Sequence, residues 1–190
     1  MTITIKPPQQ PPLPHGMMPG EVLPVHICPF VVAVDSREQL PWTFDGIVIA
    51  GRRWDIRTQT ATLATGDYSI IGQEREVAVE RKSADDLLGS ITHGNARFRR
   101  EHERLRDIVK FGGTSGGMAC VIIEGSLSAI CDALDDPFSG RQIGSEVVLG
   151  ITASWPIRYQ VQWDFAGDRR RAELLAFKRL LKWWEAREAR

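Results

Sequence analysis

The sequence predicts an α/β domain with a central mixed β-sheet flanked by α-helices. Two continuous apolar runs, residues 30–34 and 118–124, have the pattern of buried strands. The segments 68–71 and 76–80 lie on either side of a short turn, which predicts a β-hairpin. Stretches with helical periodicity follow these strands, and the alternation of strands with helices defines the fold class.

The remaining elements complete this pattern in chain order. Residues 54–62 alternate in polarity and predict a strand that pairs with a short β-segment near residues 46–50. Ser83 is a suitable helix N-cap, and Asp86 stands at the third helical position, as in a capping box. Further predicted elements are a helix from Asn95 to about Lys110, helices near 126–132 and 141–154, a strand at 157–165 and a helix from Asp168 towards the C-terminus.

Proline usage separates an arm from one folded domain. Residues 1–24 contain seven prolines, a composition that cannot pack a core and is typical of flexible or polyproline chains. We therefore predict a flexible arm over residues 1–29 and a single domain over residues 30–190. A ligand for a proline-binding module is the alternative interpretation of the arm.

Composition and motifs exclude several classes of protein. No apolar run approaches the roughly 18 residues needed to cross a bilayer, and no signal-peptide core is present. The three cysteines lack metal-ligand spacing and predict reduced thiols in a cytoplasmic protein. The glycines of residues 112–117 do not form the ordered pattern of a phosphate-binding P-loop.

The net charge of zero hides a separation of charge along the chain. Residues 35–86 hold ten acidic and seven basic side chains, whereas residues 93–110 hold six basic and three acidic ones. Residues 168–190 are also basic, with eight basic and four acidic side chains. An acidic pocket between basic helices suits an enzyme that binds cations and phosphates. Two solvated helical surfaces would give the same charge pattern.

The most informative motif is Asp67 followed, after twelve residues, by Glu80-Arg81-Lys82. At the ends of neighbouring strands, Asp67 and Glu80 can share a divalent cation, and Mg²⁺ prefers such carboxylate oxygens. Lys82 points to the same face as Glu80 because side chains alternate along a strand. Arg81 points to the other face, where an ion pair with a carboxylate such as Asp86 and a phosphate contact both remain open.

Other candidate residues have both functional and structural interpretations. Asp35 and Glu38 follow a buried strand and belong either to the site or to a turn, and Asp86 belongs to the site or only caps its helix. Glu124 ends another buried strand and is a candidate supporting acid, whereas Tyr68 fits core packing. Candidate phosphate contacts on the basic helix are Arg97, Arg100 and Arg104.

Two further sets of side chains carry weaker predictions. His93 and His102 flank or lie in the basic helix, and an isolated histidine is usually a surface residue. Trp183 and Trp184 are adjacent at the end of an apolar stripe, and two adjacent residues cannot both point to one core. An exposed tryptophan there would predict a partner surface.

Three motifs together resemble the nuclease domain of the XPF family of structure-specific endonucleases. They are Val-Asp-Ser-Arg-Glu at residues 34–38, Gly-Asp-Tyr at 66–68, and Val-Glu-Arg-Lys-Ser-Ala-Asp-Asp-Leu at 79–87. The resemblance covers roughly residues 30–185. It implies a restriction-endonuclease-like fold, dependence on Mg²⁺ or Mn²⁺, cleavage of branched or flapped duplex DNA in repair or recombination, and a homodimer formed through this domain.

The resemblance also implies a role for each site residue. Asp67 and Glu80 are the expected metal ligands, completed by the backbone carbonyl of Arg81, and Lys82 is expected to be catalytic. Asp35 and Glu38 add outer carboxylates, with Asp35 as a further expected metal ligand. Asp86 and the Arg81 side chain are expected to support the site.

One departure from the family pattern leaves the substrate open. Family members usually carry a tandem helix-hairpin-helix module after the nuclease domain, and the sequence ends at Arg190 without it. A nuclease of this fold that acts on another nucleic acid is therefore an alternative interpretation. A non-catalytic partner subunit that positions DNA is a further alternative, which loss of site residues would favour, and none of them is lost here.

Overall fold

A seven-stranded mixed sheet forms the centre of the structure, a computed structural model that describes residues 23–92, 95–113, 116–138 and 143–189. The strand order is β2-β3-β1-β4-β5-β6-β7. The strands are β1 (Val25–Asp35), β2 (Val48–Ile49), β3 (Arg52–Ala61), β4 (Tyr68–Ile70), β5 (Val77–Ser83), β6 (Met118–Glu124) and β7 (Gln162–Phe165). Strand β4 runs antiparallel to both β1 and β5, whereas β5, β6 and β7 are parallel. The predicted α/β class with a mixed sheet is confirmed.

Helices cover both faces of this sheet and enclose two apolar clusters. The helices are α1 (Ala84–Thr92), α2 (Asn95–Phe111), α3 (Leu127–Asp135), α4 (Ser145–Tyr159) and α5 (Arg169–Glu188). Helix α5 packs on one face, where Phe177 and Leu180 join the cluster that contains Phe30 and Tyr68. Helices α1 to α4 contribute to the cluster on the other face, which contains Phe98 and Trp155. The sheet is therefore buried on both sides, which explains the continuous apolar strands.

The first strand begins earlier than the sequence predicted. Strand β1 starts at Val25 rather than Phe30, so part of the segment expected to belong to the flexible arm pairs with β3. Cys28 and Phe30 alternate into the core, and the pairing register shifts between Ile27 and Val31. Pro29 lies within this irregularity, where a residue without an N–H is tolerated in a sheet. Residues 1–22 lie outside the described part of the chain.

The second difference concerns residues 157–165, which were predicted to be one strand and in which apolar residues alternate. Helix α4 instead continues to Tyr159, and β7 begins only at Gln162. Trp155 and Tyr159 are both buried, and residues four apart lie on the same face of a helix. Gln160 ends the helix in the left-handed conformation, with φ of 59°. The helical spacing of the two aromatic residues thus dominates over the alternating pattern.

The prediction that Trp183 and Trp184 cannot both face the core is wrong. Both residues are half-buried and both pack against the apolar cluster under α5. Trp184 lies against Phe30, with ring centroids 5.5 Å apart, and the Trp183 indole N–H donates to the carbonyl of Gly116 at 3.3 Å. The two large rings straddle the helix face that meets the sheet, so neither provides the exposed anchor expected of a partner surface.

His102 is buried, in contrast to the expected surface position. Its Nδ1 lies 3.0 Å from the carbonyl oxygen of Phe98, and its Nε2 accepts a hydrogen bond from the Trp163 indole N–H at 2.9 Å. Trp155 and Tyr159 surround the ring. Burial disfavours the charged ring and lowers the pKa of His102 from 6.5 to about 4, although the contact with the Phe98 carbonyl and the charge of Glu101 act in the opposite direction. His93 lies outside the described residues.

The structure also describes the cysteines and the length and character of each helix. Cys28, Cys120 and Cys131 are free thiols, and the first two are buried. Across the described ranges, no helix has both the length and the apolar character needed to span a membrane.

The pKa of His102 predicts a pH dependence of stability. The unfolded chain binds the proton more tightly than the folded one, so stability is complete above pH 6.5 and falls as the pH drops towards 4. At pH 5 the loss from this group amounts to about 2 kcal/mol. Urea unfolding measures the free energy of unfolding at pH 7 and at pH 5. The decrease between the two pH values should be larger for the wild-type protein than for His102→Gln. Equal pH differences for the two proteins would contradict the buried neutral histidine.

Candidate active site

A cleft of about 570 Å³ lies where β1, β4 and β5 approach α1 and α2. Asp67, Glu80 and Lys82 all line it, so residues distant in sequence meet on one surface. The cleft is formed because β1 and β5 end beside the segment that leads into β4. The three residues of the most informative sequence motif are thus brought together.

The turn before β4 delivers the Asp67 carboxylate to β5. Gly66 has φ of 78°, and a Cβ at this position would lie 3.1 Å from the Cβ of Ala78, so only glycine fits without strain. The Asp67 N–H donates to the carbonyl of Val79 at 2.9 Å. Its carboxylate Oδ2 accepts the backbone N–H of Arg81 at 2.7 Å. The Gly-Asp pair of the motif therefore locks the carboxylate against the strand that carries Glu80.

Burial disfavours the ionised form of the Asp67 and Glu80 carboxyl groups. Burial raises the pKa of Asp67 to about 6, partly offset by the Arg81 N–H, and raises the pKa of Glu80 well above its usual value. Repulsion between the two carboxylates adds to the effect on Glu80. Their oxygen atoms suit a hard divalent cation, which would offset this repulsion. Within the described ranges no three Asp, Glu, His or Cys side chains form a metal-binding group, so backbone or water oxygens would complete the coordination.

Lys82 is held by side chains from its own strand and from α2. Its Nζ lies 3.2 Å from Glu80, 3.5 Å from Glu101 and 5.0 Å from the ring centroid of Phe98. Burial alone would lower the pKa of Lys82, but the two carboxylates outweigh it and raise the pKa above its usual value. The lysine therefore remains an ammonium group that faces the cleft.

Glu101 is the site residue that the sequence interpretation missed. Burial raises its pKa, but hydrogen bonds from Glu80 and Lys82 and the charge of Lys82 produce a net lowering. The signal was present in the sequence, because Glu101 lies three residues after Phe98 and four before Leu105. It therefore shares the buried face of an otherwise basic helix, where a solvated acid is not expected.

The Arg81 side chain forms a structural ion pair, which was one of the two interpretations of this residue. Its partners are Glu124 and Glu38, and not Asp86. Its guanidinium donates to Glu124 at 2.7 and 2.9 Å and to Glu38 at 3.0 Å. The Trp42 indole N–H and Arg169 also donate to Glu124. Glu124 and Glu38 thus fix the strand that carries the motif, while the Arg81 backbone stays beside Asp67.

Asp35 has a different environment from Asp67 and Glu80. Its Oδ1 accepts the Arg37 backbone N–H and Nε, and its Oδ2 accepts Arg37 Nη2 and the Leu63 N–H, at 2.7 to 2.9 Å. Hydrogen bonds from Arg37 are the main cause of a pKa of about 2. With four donors already on the carboxylate, the geometry disfavours the expected role of Asp35 as a metal ligand.

Ser83 caps α1 as the sequence predicted, but the Asp86 carboxylate accepts from the Ser83 hydroxyl and not from the Ser83 backbone N–H that completes a capping box. The Ser83 hydroxyl accepts the Asp86 N–H at 3.0 Å and donates to the Asp86 carboxylate at 2.7 Å. Asp86 also lines the cleft. Of the three predicted phosphate contacts on α2, Arg97 and Arg104 line the cleft, whereas Arg100 is exposed outside it.

The mixed seven-stranded sheet with helices on both faces is that of a restriction-endonuclease-like fold, and the segment before β4 and the neighbouring strand β5 carry the paired carboxylates Asp67 and Glu80. A protein-family model described as the ERCC4 domain matches residues 34–167. The chain therefore belongs to the ERCC4 domain family, as the XPF-family resemblance indicated, and its fold is that of the XPF nuclease domain.

Two solved structures support this fold. XPF from Aeropyrum pernix matches with a TM-score of 0.52 at 18% identity, covering 80% of this chain and 59% of that one. XPF from Aeropyrum pernix in complex with DNA matches with a TM-score of 0.54 at 18% identity, covering 82% of this chain and 65% of that one. This chain thus spans less than two thirds of the length of either structure. A search of curated protein sequences found no match.

Proposed function

We propose that this protein is a divalent-metal-dependent DNA endonuclease that cleaves branched or flapped DNA. The observation that carries the proposal is the pair of buried carboxylates, Asp67 and Glu80, beside the Lys82 ammonium in an open cleft. Burying two adjacent acids costs a purely structural domain stability, whereas a metal-dependent phosphodiesterase uses such a pair to bind its cation. Membership of the ERCC4 domain family supports the same reaction class. The proposed setting is DNA repair or recombination in the cytoplasm.

The proposed cation site consists of Asp67, Glu80 and the backbone carbonyl of Arg81, with Mg²⁺ or Mn²⁺ as the ion. A divalent ion held there would supply positive charge to the phosphate and favour deprotonation of the attacking water. The Arg81 N–H keeps the Asp67 carboxylate in place for this role. Asp35 and Glu38 act here through Arg37 and Arg81, because their oxygens accept hydrogen bonds from those side chains.

Lys82 is proposed to contact the reacting phosphate. Glu80, Glu101 and Phe98 restrain its ammonium at the edge of the cleft, which removes most of the entropy cost of positioning a flexible side chain. An ammonium fixed there opposes the negative charge that builds up on the phosphate during hydrolysis. Its pKa, raised by the two glutamates, keeps it charged at neutral pH.

Removal of any one of these groups should slow cleavage strongly without unfolding the protein. Asp67→Asn, Glu80→Gln and Lys82→Gln should each cut at least ~100-fold more slowly, since each removes a group that stabilises the transition state. The assay uses labelled duplex, 3′-flap, 5′-flap, fork and single-stranded DNA, with Mg²⁺, Mn²⁺ or EDTA. EDTA should stop cleavage by the wild-type protein.

The matched control is Glu103→Gln, which removes an exposed carboxylate from the same helix as Glu101 and should leave the rate unchanged. Circular dichroism and thermal unfolding establish that each variant is folded. Cleavage at the wild-type rate by Asp67→Asn and Glu80→Gln would exclude this site. Binding without cleavage by the wild-type protein would favour the non-catalytic alternative, and cutting of single strands alone would favour another nucleic acid.

DNA is proposed to lie along α2, where Arg97 and Arg104 reach the cleft and Arg100 does not. A phosphate contact contributes to affinity through release of counterions. Arg97→Gln and Arg104→Gln should therefore each weaken DNA binding in EDTA and lower the salt slope of the affinity by about one. Arg100→Gln is the matched control on the same helix. An equal loss of DNA affinity in all three variants would indicate nonspecific binding to a basic surface and not binding of the DNA along the cleft.

A homodimer is part of the proposed function, and helix α4 provides the proposed contact. Its outward face exposes Val147, Leu149 and Ile157, which are 39%, 46% and 82% accessible, around the small residues Gly150 and Ala153. Such small side chains allow a second helix to approach closely. A helix that is apolar on its inner and outer faces is normally covered on both.

The order of residues along this face favours a second copy of the same chain. Glu146 and Arg158 lie at equal distances on either side of position 152, as do Val147 and Ile157. Two antiparallel copies of α4 related by a twofold axis would place Glu146 of each beside Arg158 of the other. The same arrangement would bring the two sets of aliphatic side chains together around Gly150.

A charge exchange tests this dimer. Glu146→Arg or Arg158→Glu alone places like charges across the interface and should shift the protein to monomer in sedimentation velocity at low salt, with a dimer constant at least ~10-fold weaker. The double variant Glu146→Arg with Arg158→Glu restores opposite charges and should recover the dimer. A dimer that resists both single variants would exclude the α4 arrangement, and a wild-type monomer would favour a different partner chain.

A further inference from the structure

Arg37 is a rigidly held guanidinium at the rim of the cleft. Its Nε and Nη2 donate to the two oxygens of Asp35 at 2.7 and 2.8 Å. Nη2 also donates to the carbonyl of Leu63 at 2.8 Å. Three hydrogen bonds therefore fix the plane of the group, although its side chain is 68% exposed.

One edge of this guanidinium remains available. The Nε and Nη2 atoms face Asp35, and Nη1 has no hydrogen-bond partner among the residues that the structure describes. Arg37 lines the same cleft as Asp67, Glu80 and Arg97, but it comes from the segment after β1 and not from α2. An exposed donor edge with a fixed orientation is suited to one oxygen of an anionic group.

Satisfying Asp35 does not by itself explain why Arg37 is ordered. The Arg37 and Leu63 backbone N–H groups already donate to one oxygen each of that carboxylate. Only the guanidinium of this ion pair is exposed, since the Asp35 side chain is 2% accessible, and ordering a long exposed side chain costs entropy. The same ordering favours binding, since a side chain that is already fixed loses no further freedom when a ligand arrives.

We propose that Arg37 binds a backbone phosphate of the DNA strand in the cleft, and that Asp35 is the positioning residue that orients it. The inference rests on the proposed function and assigns its substrate a contact on the β1 side of the cleft, in addition to Arg97 and Arg104 on α2. Asp35 then acts on the substrate through Arg37 and has no direct contact with a cation.

The variant Asp35→Asn distinguishes a positioning role from a simple charge effect, because the two explanations predict opposite changes in DNA affinity. Removing a negative charge near DNA should strengthen binding if Asp35 acts only through its charge. Asp35→Asn should instead weaken binding by about threefold or more, because the guanidinium loses its preorganisation. Affinity is measured in EDTA by fluorescence anisotropy with a fluorescein-labelled forked DNA, so that no cleavage is needed.

The Arg37 variants define the contact itself. Arg37→Gln should bind the forked DNA about tenfold more weakly and lower the salt slope by about one, as expected for one lost phosphate contact. Arg37→Lys keeps the positive charge but lacks the planar guanidinium, so its affinity for the DNA should lie between those of the wild-type protein and Arg37→Gln. In the Arg37→Gln background, Asp35→Asn should cause no further loss, since the residue it positions is gone. Thermal unfolding checks the fold of each variant.

The control is Arg75→Gln, in the turn between β4 and β5 at the far end of the strand from Lys82. It is exposed and should leave both the affinity and the salt slope unchanged. A wild-type slope for Arg37→Gln, tighter binding by Asp35→Asn, or additive losses in the double variant would each overturn the inference while the cleavage assay still supports the nuclease. A wild-type protein that neither binds nor cuts DNA would overturn both proposals.

Discussion

The hydrogen bond from the Arg81 backbone N–H to the Asp67 carboxylate joins the two halves of the candidate site. It connects the turn before β4 to β5, and it requires the left-handed turn at Gly66 to be in place. Strand alternation then determines everything around it. Glu80 and Lys82 face the cleft, whereas the Arg81 side chain points away and meets Glu124 and Glu38. Arg81 therefore contacts the Asp67 carboxylate of the cleft with its backbone N–H, and Glu124 and Glu38 on the other side of the strand with its side chain.

The charges of the site are arranged at the expense of stability. Two adjacent carboxylates buried beside β5 oppose folding unless a proton, an ammonium group or a cation balances them. Lys82 supplies part of this balance, and it is itself shared between Glu80 and Glu101. Behind the strand, Arg81 and Arg169 balance Glu124 with well-formed hydrogen bonds. On the cleft side of β5 the carboxylates therefore outnumber the positive charges, and an additional positive charge would balance them. On the other side Glu124 is already balanced by Arg81 and Arg169.

Local patterns predicted those features that depend on neighbours in sequence. The β4–β5 hairpin, the Ser83 cap and the opposite faces of Arg81 and Lys82 follow from turn chemistry, capping and strand alternation. Features that depend on distant contacts were missed or misassigned. His102 resembles a surface residue until Trp163 and Tyr159 surround it, and Glu101 is one acid among many arginines until α2 packs on β5. The environment of Asp35 depends on Leu63, which no spacing rule connects to it.

Adjacent residues of helix α2 contact two different parts of the protein, the cleft and the aromatic core. Phe98 and Glu101 contact Lys82 at the cleft, whereas His102 is locked between the Phe98 carbonyl and the Trp163 indole. A shift of α2 by even a fraction of a turn would break the contacts on both sides together. Substitutions in the aromatic cluster that surrounds His102 therefore act on the cleft without touching it. Packing in this part of the core is therefore coupled to the geometry of the proposed active site.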